Sequence, residues 1–200
     1  MKRLVMIAAL LGLSAGTAAG FSGSDPNWPC IQRKQPHLSL GQVWTGPVPT
    51  EEDEGLAREK EISDLAERLV QRRMPLAEAE AEIAAFAETA DNHRLTALML
   101  AIFQHIDRDR SGLIEGIARY GHKQVDLAAS IESRRAQMAE LESAEEPDFD
   151  AIDVAEEALD WDMRIFTDRQ HALTYVCETP VLMEQRAFAL GRSIAAGLHE

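Results

Sequence analysis

Basic side chains are in short supply in this sequence, with 20 Lys and Arg against 34 Asp and Glu over 200 residues. A surface of that sign repels nucleic acid and anionic membranes before contact forms, which disfavours both as partners. Cysteine is nearly absent: only Cys30 and Cys177 occur, without a C-x-x-C pair, so thiol-exchange chemistry is not expected. The usual reaction motifs are missing as well. There is no H-E-x-x-H, no G-x-S-x-G elbow, no phosphate-cradling Gly loop and no cluster of Cys and His. No catalytic residue and no cofactor are therefore expected. Beyond residue 20 no apolar run is long enough to span a bilayer. β-Branched residues are few and Gly and Pro modest in number, while Ala, Glu, Leu and Arg dominate. That composition favours helix, and the fold class it predicts is all-α.

The first twenty residues differ from the rest. Lys2 and Arg3 precede the apolar stretch Leu4 to Leu13, and Ser14 to Gly20 are all small. This is the layout of a signal peptide cleaved near Gly20, and it predicts an exported, periplasmic or secreted product. The remainder would carry 18 Lys and Arg against 34 Asp and Glu, a net charge of −16. In an oxidising compartment Cys30 and Cys177 are expected to form one disulfide, with intermolecular pairing as the alternative.

Residues 21–50 read as an extended arm, because Pro26, Pro29, Pro36, Pro47 and Pro49 block helix. Trp28 and Trp44 in this arm are expected to pack into a groove of the neighbouring fold. A helix follows, with Thr50 as N-cap, Asp53 completing a capping-box variant, and Ile62, Leu65, Leu69 and Val70 on its apolar face. Pro75 closes this helix and opens a second with Leu76, Ala79, Ile83, Phe86 and Ala90 on one face. Asp91 or Asn92 caps a third.

That third helix carries the strongest pattern. Steps of four and three run from Met99 through Phe103, Ile106, Arg110, Leu113, Ile117, Tyr120, Gln124, Leu127, Ile131, Arg134 and Met138 to Leu141. A heptad phase sustained over this length predicts a coiled-coil seam. After a break at Pro147 a second seam follows through Ile152, Ala155, Leu159, Phe166, Leu173 and Val176, with a kink or short break expected at Pro180. Folding the chain back at 144–147 pairs Leu141 with Ile152, Leu127 with Phe166, Tyr120 with Leu173 and Leu95 with Leu198. The expected architecture is a helical bundle base (51–113 plus 180–200), a projecting antiparallel coiled-coil stalk (114–177) and the arm. Arg110, Gln124 and Arg134 on the seams are read as register-fixing residues, with Arg134 near Asp160 and Asp162.

Two signals bear on chemistry. Asp107-Arg108-Asp109-Arg110-Ser111-Gly112-Leu113-Ile114 matches the opening of a calcium-binding EF-hand loop, but its twelfth position is Ala118 instead of Glu, and the heptad phase runs through it. It is read as plain helix. Near the stalk tip, Asp150, Asp153, Glu157 and Asp160 share a helical face within a denser run of acids. Like charges so placed repel by a few tenths of a kcal/mol per pair, so the row is either a solvated face or a docking surface for a basic partner. His105 with Asp109, and Asp168 with His171, could each clip a metal on a helix, although pairs at such spacing arise often by chance.

The reading that follows is an exported helical interaction protein, an adaptor, scaffold or chaperone-like stalk, without catalytic activity or a membrane span once the signal is removed. Its partner is an unknown protein, basic if the acidic row is its dock, and a homodimer stays open. The alternative is a periplasmic metal-responsive or metal-buffering hairpin using tip carboxylates and a histidine.

Overall fold

A computed structural model describes residues 28–199; the expected signal segment 1–20 and the first arm residues, 21–27, lie outside the described residues. Five α-helices follow an arm that contains one short 3-10 turn, Leu40–Gln42. They are α1 (Glu51–Leu56), α2 (Lys60–Leu69), α3 (Leu76–Ala87), α4 (Asn92–Glu142) and α5 (Phe149–Ala196). The last two, of 51 and 48 residues, lie antiparallel and make the hairpin on which everything else packs. At 1.5 Å per residue each is on the order of 75 Å long.

The caps explain where the helices start. Thr50 and Asp53 exchange bonds: the Thr50 N–H and hydroxyl both donate to the Asp53 carboxylate, and the Asp53 N–H donates back to the Thr50 hydroxyl. Asp91 accepts from the Arg94 N–H to begin α4, and Asp148 accepts from Ala151 N–H to begin α5 just past Pro147.

Three local expectations are revised. The helix expected from residue 51 to Val70 is two helices, because the chain leaves helical geometry at Glu59 after a tight turn closed by Arg58 N–H to Gly55 O and Glu59 N–H to Leu56 O. Gly55 weakens the helix there, and the change of direction lets Ile62, Leu65, Ala66 and Leu69 face the hairpin. α2 then ends well before Pro75. Its terminal carbonyl, Leu69 O, and that of Met74 accept from the Arg186 guanidinium of α5, so a side chain remote in sequence caps the helix. Third, α5 runs unbroken through Pro180. Pro180 is buried in the hairpin, where packing against α4 holds the helix together across the missing N–H.

The register of the hairpin is the expected one. Arg134 pairs with Asp162, Gln124 donates to Phe166 O, Arg110 pairs with Glu184, and Asn92 exchanges bonds with the His199 main chain. The main core lies at one end of the hairpin. There Ile62, Leu69, Ile83, Leu98, Ile102 and Leu190 are sealed from solvent, joined by Val43 and Trp44 from the arm. Farther out, Ile114, Ile117, Ile131, Leu159 and Leu173 continue a two-helix seam, with no third layer of buried apolar residues among the described residues.

Candidate functional site

The arm's course explains the calcium-loop resemblance. Residues 107–114 are helix, and three of their side chains clamp the arm. Asp107 accepts from the Leu38 N–H (2.7 Å) and lies 2.9 Å from His37 Nδ1. Ser111 donates to Pro36 O at 2.7 Å. Arg110, 3% exposed, sends Nη1 to the Gln35 and Pro36 carbonyls and Nε, at 2.8 Å, to the Glu184 carboxylate. The guanidinium fork serves two carbonyls and one carboxylate at once, a geometry unique to Arg. Below the clamp, Cys30 is bonded to Cys177 with a Cα–Cα distance of 5.5 Å. Above it, Trp44 is buried and donates its indole N–H to Pro47 O. Trp28 does not enter the groove expected for it. It stays half-exposed, donates to Gln32 O within the arm, and has the Lys34 ammonium 5.9 Å from its ring.

The acidic row is where the sequence places it. Asp150, Asp153, Glu157 and Asp160 are all exposed on the outer turns of α5. Two neighbouring acids have internal tasks, Asp148 as N-cap and Asp162 as the partner of Arg134 at 2.8 Å. His105 is engaged by the Arg108 guanidinium at 2.7 Å, and both Asp168 and His171 face solvent. Among the described residues, no group of three or more His, Cys, Asp or Glu gathers closely enough to hold a metal ion.

A second feature shares this helix and escapes a seam-only reading. Val154, Trp161, Tyr175 and Leu182 stand seven or fourteen residues apart and are 69%, 62%, 76% and 47% exposed. Between them, one turn on, come Ala158, Ile165, Ala172 and Thr179. The steps of four and three repeat a heptad, offset from the buried seam, so α5 carries two apolar rows. One row faces α4 and the other faces outward. Near the tip this outer row lies beside the acids: Val154, Ala158, Trp161, Glu157, Asp160 and Arg164 share the wall of a hollow of about 570 Å³. Its trace in the sequence is the heptad spacing of Val154, Trp161, Tyr175 and Leu182, interrupted at the centre by the exposed Asp168. A search for one hydrophobic face per helix passes over it.

At the other end of the outer row a cleft of about 690 Å³ opens between α5, α4 and the turn after α2. Leu182, Met183 and Ile106 form its apolar part, and Arg72, Arg73, Arg108 and Arg186 rim it together with Glu67 and Asp109. Four arginines at one place are a marked local excess in a chain of net charge −14. No helix among the described residues is long and apolar enough to cross a membrane. No family model, curated protein or solved structure matches the chain.

Proposed function

We propose that this is an exported helical interaction protein, an adaptor, scaffold or chaperone-like stalk, that docks partners along the outward flank of α5. The observation that carries the reading is the second apolar row, with Val154 and Trp161 exposed beside Asp150, Asp153, Glu157 and Asp160. Leaving Trp and Tyr in water forgoes roughly 1.5–3 kcal/mol per large side chain that burial would return, and exposed apolar rows with a charged rim mark association surfaces. The chemistry fits an amphipathic helix whose apolar positions repeat in heptads and whose flanks are basic. Export is supported by the leader-like pattern of residues 1–20 and by the Cys30–Cys177 bond, which an oxidising compartment maintains.

A photo-crosslinking residue at position 161, used in the native compartment, tests the reading. Wild-type chain should trap discrete protein partners. Changing Asp150, Asp153, Glu157 and Asp160 to Asn or Gln should lower the yield, with helicity and melting temperature held or slightly raised as their mutual repulsion is relieved. Capture should also weaken with salt, because exposed charges are screened beyond about 8 Å at physiological ionic strength. Undiminished capture of every partner by the neutralised variant would show the acidic row to be solvation only.

A further inference from the structure

Elsewhere in the chain arginines are matched with acids: Arg68 pairs with Glu82, Arg94 with Glu59 and Glu61, Arg110 with Glu184, and Arg134 with Asp162. The arginines of the cleft beside Leu182 are held differently. Arg186 donates only to main-chain carbonyls, Leu69 O and Met74 O, which leaves one N–H over on each of its terminal nitrogens. Arg73 Nε donates to Gln71 Oε1 at 3.0 Å, and Arg108 lies 2.7 Å from His105 Nδ1, with Asp109 farther off at 3.6 Å. Among the described residues, Arg72, Arg73 and Arg186 have no carboxylate partner, although acids outnumber bases by 34 to 20 in the sequence. Neutral acceptors orient a guanidinium without cancelling its charge. The cleft therefore keeps positive charge in a chain that neutralises it elsewhere.

We propose that this cleft binds a small organic anion, its carboxylate or similar head among Arg72, Arg73 and Arg186 and its apolar body along Leu182, Met183 and Ile106. A volume of about 690 Å³ falls in the range of small-molecule sites, and such sites combine an apolar lining with a few fixed polar groups. Guanidinium groups bind carboxylates through paired, charge-assisted hydrogen bonds. Met183 is an adaptable side chain, so the apolar wall tolerates tails of different shape. Glu67 and Asp109 also stand on the rim, which keeps the positive excess modest and suits a singly charged head better than a polyanion. Burial holds the Arg186 guanidinium below its ordinary value, and an anion seated beside it would oppose that shift. The site is independent of the docking reading, since Trp161 and Leu182 lie roughly 30 Å apart along α5.

Calorimetric titration of the full disulfide-bonded chain with decanoate, kept below micelle-forming concentrations, should give saturable one-to-one binding with a Kd below about 1 mM. Acetate supplies the head without the tail, and decyl maltoside the tail under a neutral head. Each should bind at least about tenfold more weakly than decanoate. Arg72 and Arg73 are exposed. Arg72→Glu combined with Arg73→Glu should therefore leave the circular dichroism unchanged and weaken decanoate binding about tenfold. Arg186 also caps α2, so it is followed in place: its Nε–H resonance in proton–nitrogen NMR spectra should shift with decanoate and not with decyl maltoside. Trp161→Ala should leave decanoate affinity as it is. Absence of saturable binding, equal affinity for decyl maltoside, or full affinity in the Arg72 and Arg73 double variant overturns the proposal. Loss of binding in Trp161→Ala would place the anion on the outer row of α5 and overturns it as well.

Discussion

Two glycines show how differently one residue type serves the hairpin. Gly112 lies on the exposed face of α4 with nothing within 4 Å of where a Cβ would be. Gly112→Ala should therefore gain the helix-propensity difference, about 0.5–1 kcal/mol, visible as a higher denaturation midpoint at unchanged slope. At Gly191 on α5 the same substitution drives a Cβ into the Val43 carbonyl, which is backbone and cannot swing aside. There Gly191→Ala should cost about 1–3 kcal/mol and loosen the arm around Trp44. A third residue-scale device joins arm, cap and hairpin. Asp53, 2% exposed, accepts from His93 at 2.8 Å as well as from Thr50. Burial pushes its carboxyl up, but the Thr50 N–H, His93 and the Thr50 hydroxyl together hold it below its ordinary value. The hydrogen bond to Asp53, with the charges of Glu52 and Asp53, raises His93 above the ordinary histidine value. The His93 contribution is full below about pH 6.5 and is lost as pH rises through its raised folded value; the Asp53 contribution is full above about pH 4 and is lost as pH falls through its lowered one. Thermal stability from this pair should peak between those limits, and His93→Gln should flatten the alkaline limb and shrink the acid one, because His93 is one of the groups that lower Asp53.

At the scale of elements, periodicity carried most of the information. The seam from Met99 to Leu141 and its partner from Ile152 onward were legible because a coiled coil repeats one contact many times, and one register satisfies all of them. Arg134–Asp162 and Gln124–Phe166 O were reachable from that register. What periodicity could not supply were contacts that occur once. The break between α1 and α2, the Arg186 cap on Leu69 O, and the clamp of Asp107, Arg110 and Ser111 on the arm depend on where non-repeating backbone comes to rest. Pro180 was legible as a residue and misleading as a break, since buried packing on α4 outweighs one missing helix bond. Within the candidate site the acidic row followed from spacing, whereas the outer apolar row emerged only once α5 was seen to be covered on one side. The clamp makes a firm prediction. Arg110 is enclosed, so Glu184→Ala leaves its charge without a carboxylate and should cost about 3 kcal/mol or more, whereas an exposed pair such as Lys60–Asp64 should contribute far less. Urea midpoints of Glu184→Ala and Asp64→Ala would show whether the two differ in that order.

The molecule as a whole has its core at one end and a bare two-helix seam at the other. Its buried core gathers α1 to α3, the arm and the adjoining ends of α4 and α5, while the distal hairpin rests on a single seam. The disulfide sits between these regimes, joining residues 147 apart in sequence near the level where the third layer of packing stops. Closing a loop of that size removes unfolded-state entropy worth about 5 kcal/mol on the chain-entropy model. In the folded state the arm has independent anchors: Arg110 on Gln35 and Pro36, Asp107 on Leu38, and Val43 and Trp44 in the core. Thermodynamic and structural roles of the bond should therefore separate when both cysteines are changed to Ser. The denaturation midpoint should fall substantially, because the unfolded chain regains its freedom. Native-state amide exchange should quicken mainly around residue 30, where the tether is gone, and stay slow at Leu38 and from Val43 to Trp44. If exchange instead accelerates along the whole arm, the covalent bond and not the polar clamp holds it in place. The role assigned to Asp107, Arg110 and Ser111 would then have to be given up.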